Sequence, residues 1–131
     1  MEAFSVDDLY QFEVFIRQSE KFEERFSIGL KYIPKEGENI NLARYNGEHK
    51  DHTNQYTDGK KIESFHKHVA MVEVIQKGAR AEHHANEADY VTFKGALINF
   101  FKELNFINYK EYLKIFDIED DDPFQLEIFN K

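Results

Sequence analysis

Histidine is the side chain that most readily gains or loses a proton near neutral pH. All six histidines of this 131-residue chain stand between positions 49 and 84. They fall as His49-x-x-His52, His66-x-His68 and the adjacent pair His83-His84, with Arg44, Lys60, Lys61 and Lys67 interleaved. In metal-free acid–base chemistry one imidazole takes a proton from a nucleophile while another protonates the leaving group. Arg44 or Lys61 would then steady the developing negative charge. Cleavage of an RNA phosphodiester by its own 2′-hydroxyl uses those parts with few additions. The catalytic set on this reading is His52, His66, His68, Arg44 and Lys61, and it needs no cofactor. As a metal centre, His66 and His68 supply two imidazoles, and His49, His52 or Asp51 completes the shell. A third reading involves no chemistry: strand-end histidines simply bond backbone carbonyls. His83-His84 sits in a polar connector, where a surface position is expected.

The elements around these residues follow from periodicity. Tyr10–Arg17 alternates, with Tyr10, Phe12, Val14 and Ile16 on one face and Gln11, Glu13 and Arg17 on the other, which predicts a half-buried strand. Arg25–Ile33 alternates again, and Pro34–Glu38 reads as a turn. Asn39–Tyr45 predicts a third strand whose Ile40, Leu42 and Arg44 share a face. Asn46–Ser64 is longer than ordinary connections, the kind of loop that often carries function. Thr57-Asp58-Gly59-Lys60 predicts a turn within it. Phe65–Gln76 is expected to return as a fourth strand, with His66, His68, Ala70, Val72 and Val74 on one face and the two imidazoles about 7 Å apart, two strand rises.

From Thr92 the period changes. Phe93, Ala96, Leu97, Phe100, Phe101 and Leu104 trace an amphipathic helix that Thr92 or Asp89 caps. Asn108 followed by Glu111 has the spacing of a capping box opening a second helix through Phe116. Strands followed by helices predict an α+β domain: an antiparallel sheet of about four strands with two C-terminal helices on one face. The whole chain, 1–131, reads as one domain, with Asp117–Lys131 an acidic tail.

Thirteen Phe and seven Tyr predict an aromatic core, and the lack of cysteine removes disulfides and thiolate ligands. The net charge of −8 weighs against a long nucleic-acid track. The charge is uneven, however: Arg44–His68 holds five basic and four acidic residues, and Asp117–Lys131 holds six acidic residues and one lysine. A local anion site therefore remains compatible with the composition. With no apolar run near ~18 residues and no basic-then-apolar start, no membrane partner is expected and the cytoplasm is the expected compartment.

Residues 51–69, DHTNQYTDGKKIESFHKHV, resemble the H-T-N-x-D-G-x-K-I…H-x-H pattern of a group of small α+β proteins from microbes and phages. The matching positions are His52, Thr53, Asn54, Asp58, Gly59, Lys61, Ile62, His66 and His68, with extra residues here between Asn54 and Asp58. The resemblance implies a shared site. Two function classes follow from the sequence: a nuclease-like toxin or defence factor acting on RNA or another polyanion, and a non-catalytic protein whose acidic surface or tail binds a protein partner. Metal binding stands as a further alternative.

Overall fold

The structure, a computed structural model, describes residues 2–5, 7–48 and 51–118. Its strands and helices run β1 Glu2–Phe4, β2 Gln11–Gln18, β3 Phe26–Ile33, β4 Ile40–Asn46, β5 His52–Thr53, β6 Lys61–Ile62, β7 His66–Val69, α1 Val72–Gln76, β8 Ala85–Glu87, α2 Phe93–Glu103 and α3 Tyr109–Ile115. Six strands form one antiparallel sheet in the order β1-β2-β3-β4-β7-β8, and β5 and β6 form a separate two-stranded sheet. The α+β class and the antiparallel pairing agree with the periodicity, while the main sheet has six strands rather than about four. The two additions, β1 and β8, are three residues each, too short to show a period.

One face of the sheet is covered by α2. Thr92 caps that helix by accepting from the Gly95 N–H, as its position predicts. Ala96, Leu97, Phe100 and Phe101 are buried against Val14, Phe26, Ile28 and Tyr45 of the sheet. Aromatic rings dominate this layer: Phe100 meets Tyr45 edge to face at 5.4 Å, and Phe26 meets Phe93 at 5.3 Å. The Tyr90 hydroxyl lies 2.7 Å from the Asn46 carbonyl and 3.1 Å from that of His66, so it donates across the seam between β4 and β7. Lys67 points to the same side, where its ammonium is held by Asp89 at 2.7 Å and Glu103 at 2.6 Å.

Three local expectations change. Phe65–Gln76 is not one strand: β7 ends at Val69, and Val72–Gln76 is a helical turn. The Met71 carbonyl accepts from the N–H groups of Val74 and Ile75, which starts that turn. Val74 is then buried while Val72 is 70% exposed, so the apparent alternation does not mark a sheet face. In β4 the pairing slips at Leu42: Leu30 faces Ala43 but Lys31 faces Asn41. That bulge puts Ile40 and Arg44 on opposite faces although they are four residues apart. Before α3, Asn108 takes a left-handed conformation (φ 60°) and its side chain makes no cap bond, so the capping box does not form. Among the described residues no helix is long and apolar enough to cross a membrane. Residues 119–131, most of the acidic tail, lie outside the described residues, as does His49.

Candidate functional site

Side chains alternate across a sheet, so the residues between those under α2 face the other way. On that second face Arg44 of β4 is in register with His68 of β7, and Asn46 with His66. The β5–β6 hairpin folds over this region. Within the hairpin His52 pairs with Ile62 and Thr53 with Lys61, which turns His52 and Lys61 to opposite sides. Ile62 is buried, while Lys61 is exposed and paired to Asp51 at 3.5 Å and Glu63 at 3.4 Å. The structure therefore brings Arg44, His52, His66 and His68 together and leaves Lys61 out.

Side-chain bonds hold the hairpin in place. Asn54, fully buried, donates from Nδ2 to the Ala85 carbonyl at 2.7 Å and accepts at Oδ1 from the Ala85 N–H at 2.8 Å. One amide thus pairs with the backbone of β8 as a neighbouring strand would. Thr57 Oγ1 meets His84 Nδ1 at 2.7 Å, and Lys77 Nζ donates to the Tyr56 carbonyl at 2.6 Å. The Asn54–Lys60 turn closes on Gly59, whose φ of 75° suits glycine.

Four imidazoles meet beneath the hairpin. The His52 ring centre lies 4.6 Å from that of His68, 4.7 Å from His83 and 6.0 Å from His66, and His66 and His68 are 4.9 Å apart. His83 arrives on the segment leading into β8. Neither its spacing nor its polar neighbours signalled this, because β8 is too short to read. His84 turns away to Thr57 and Asn86.

Two of the rings have fixed tautomers. His66 Nδ1 lies 2.9 Å from the Ser64 carbonyl and His68 Nδ1 lies 2.8 Å from the Glu82 carbonyl. A carbonyl can only accept, so each Nδ1 carries the proton and each Nε2 holds the lone pair while the ring is neutral. Burial, then the nearby Arg44, His66 and His52 charges, pushes His68 down to about 3. Burial also lowers His52, partly offset by hydrogen bonds to the His83 main chain and Asn54, while the Arg44 and Arg80 charges add to the fall. His83 is lowered by burial and by His52 and Arg80. The Arg44 guanidinium is itself weakened by burial, supported by Glu82, and opposed by Arg80 and Arg17.

Buried polar atoms normally find a partner. Here Arg44 Nε, Asn46 Nδ2, His52 Nε2, Glu82 Oε1 and His83 Nδ1 are buried without a hydrogen bond. These five belong to this one region. Glu82 Oε1 lies 3.5 Å from Arg80 Nε, an ion pair without a hydrogen bond. Asn46 already accepts at Oδ1 from the Ser27 hydroxyl at 2.8 Å, which leaves its amide protons to give. His66 and His68 form a buried floor, and Arg44, His52 and His83 form a half-buried rim. Among the described residues no group of three or more His, Asp or Glu side chains has the geometry to hold a metal ion.

No family model, no curated protein and no solved structure matches this chain.

Proposed function

We propose that this centre binds an RNA phosphodiester and cleaves it with the substrate's own 2′-hydroxyl, the activity of an RNA-directed toxin or defence factor. The observation that carries the reading is the group of unpartnered atoms: Arg44 Nε and Asn46 Nδ2 are donors awaiting acceptors, and phosphate oxygens are acceptors. His52 and His83 stand beside them with a free ring nitrogen each.

In this mechanism Arg44 and Asn46 hold the non-bridging oxygens. His52 is neutral at the start, its Nε2 takes the 2′-hydroxyl proton, and that oxygen attacks phosphorus. The bond to the 5′-oxygen breaks, and His83 gives that oxygen a proton, which leaves a 2′,3′-cyclic phosphate and a 5′-hydroxyl. A bound phosphate brings a negative charge that offsets the burial and the His52 and Arg80 charges lowering His83, so it raises the proton affinity of His83 and makes it an acid in the complex. His68, held near 3, is too weak a base for the first step and serves with His66 as the floor that positions His52.

The test incubates purified protein with fluorescent single-stranded RNA, with and without EDTA, beside His52→Ala and Arg44→Gln. Expected are cutting by the parent with cyclic-phosphate ends, no dependence on chelator, and a loss of at least about a hundredfold in each variant, the scale of a lost acid–base or charge-stabilising group. An uncut RNA panel, or cutting that survives in both variants, refutes the reading. Cutting abolished by EDTA would overturn the metal-free mechanism.

A further inference from the structure

The histidine centre is one end of a longer surface. Sheet register makes a cross-strand row of Phe15, Gly29, Arg44 and His68, and a second row of Arg17, Ser27, Asn46 and His66. Both rows lie on the face away from α2. The Phe15 ring lies flat on Gly29: a Cβ at position 29 would stand 2.0 Å from Phe15 Cζ. Two cations stand over the ring, the Arg17 guanidinium at 5.6 Å and the Lys31 ammonium at 5.2 Å from its centre, and an incoming base would take their place on it while its phosphates engage them. Glu13 shares this face opposite Lys31, Glu2 stands opposite Glu13 and Glu87 opposite His66, so three cations and three acids share the face, and Arg17 and Lys31 are the charges set against the Phe15 ring.

We propose that this strip is a platform for single-stranded RNA, in which a base stacks on Phe15 and the adjoining phosphates lie on Arg17, Lys31 and Arg44. The inference rests on the cleavage reading and names the form of its substrate. Single strands are bound by such a pairing, an aromatic face for the base and cations for the backbone. Neighbouring strands are about 4.8 Å apart. Phe15 therefore stands about two spacings, roughly 10 Å, from Arg44, the reach of one or two nucleotides. A duplex keeps its bases in the stack and cannot offer one to the ring. The Arg80 and Arg17 charges both bear against the Arg44 guanidinium, and the same polyanion would offset them.

The experiment measures binding of a fluorescent single-stranded RNA, 2′-O-methylated throughout and so inert to the proposed cleavage, to the full chain. Phe15→Leu is expected to weaken binding on the order of tenfold, the loss of one base stack, and Phe15→Trp to retain it. Arg17→Gln is expected to lower the salt dependence by about 0.7 in log–log slope, one phosphate contact on a single strand. Thermal unfolding of each variant separates lost binding from lost fold. With cleavable RNA, Phe15→Leu is expected to raise KM and spare kcat. A Phe15→Leu variant that binds as the parent does, a parent that binds duplex as tightly as single strand, or a parent that binds neither overturns the platform. Phe15-dependent binding by a parent that never cuts supports the platform and sinks the cleavage reading, so the two failures are distinct.

Discussion

The two faces of the main sheet are built from the same strands and solve opposite problems. Under α2, polar groups entering the interior are answered: Tyr90 donates across two strands, Lys67 sits between Asp89 and Glu103, and Asn99 donates to Asp89 at 3.0 Å. Burial opposes the charge on Lys67, yet bonds to Asp89 and Glu103 still raise its pKa. On the other face, arginine, asparagine, glutamate and two imidazoles are buried with polar atoms unanswered. An unmade bond in a dry environment destabilises by about 1–3 kcal/mol, so the first face holds the fold together and the second carries a cost in stability.

The largest expected effect lies on the helix side. Phe100 is fully buried against Tyr45, Phe101 and Phe106, so Phe100→Ala should destabilise by about 3–5 kcal/mol in chemical denaturation. An unchanged midpoint would mean that this face does not carry the stability. Next comes the clip on the hairpin. Asn54→Ala removes two buried bonds to Ala85 and strands that residue's N–H and carbonyl, a loss of about 2–3 kcal/mol.

Acid probes the second face directly. The ordinary value for His68 is 6.5 and the folded value is about 3, so between these the unfolded chain binds the extra proton. Stability therefore rises with pH across that window, is complete above about 6.5 and is lost as pH falls. By pH 5 the loss from this group is about 2 kcal/mol. Replacing His68 with Phe should flatten that limb of the unfolding-versus-pH curve, and an unaltered curve would show the imidazole to be solvated. The smallest effect has the opposite sign. Arg44→Met removes a buried charge with an unpaired Nε, and should leave the unfolding midpoint equal to the parent's or up to about 1 kcal/mol above it. A clear loss of stability there would erase the contrast between the faces.

Legibility in the sequence followed length. β2, β3, β4 and α2 each run long enough to show a period, and all four stand within a residue or so of where alternation or the 3.6 repeat puts them. Arg44, His52, His66 and His68 could be singled out by residue type, although nothing in the spacing showed that β4 and the β5–β6 hairpin would deliver them to one place. Lys61 was close in sequence but sits on the wrong side of a two-residue strand. His83 and the Asn54 clip depend on β8, which three residues cannot announce. Phe15 breaks the polar half of the β2 alternation. Its reason, a flat seat on Gly29, exists only after β2 and β3 pair.

The hairpin over the histidines has a consequence for time rather than for energy. Among the described residues the backbone–backbone bonds of positions 51–62 stay within the hairpin, and its hydrogen-bonded ties to the rest of the molecule are made by the side chains of His52, Asn54, Thr57 and Lys77. Lifting it breaks no rung of the six-stranded ladder. Such a segment opens as its own small cooperative unit, far more often than the sheet beneath it unfolds. The amides of Thr53 and Asn54 should thus trade hydrogen for deuterium long before those of Ile28 and Tyr45, and the same opening brings the buried His66 and His68 rings to solvent.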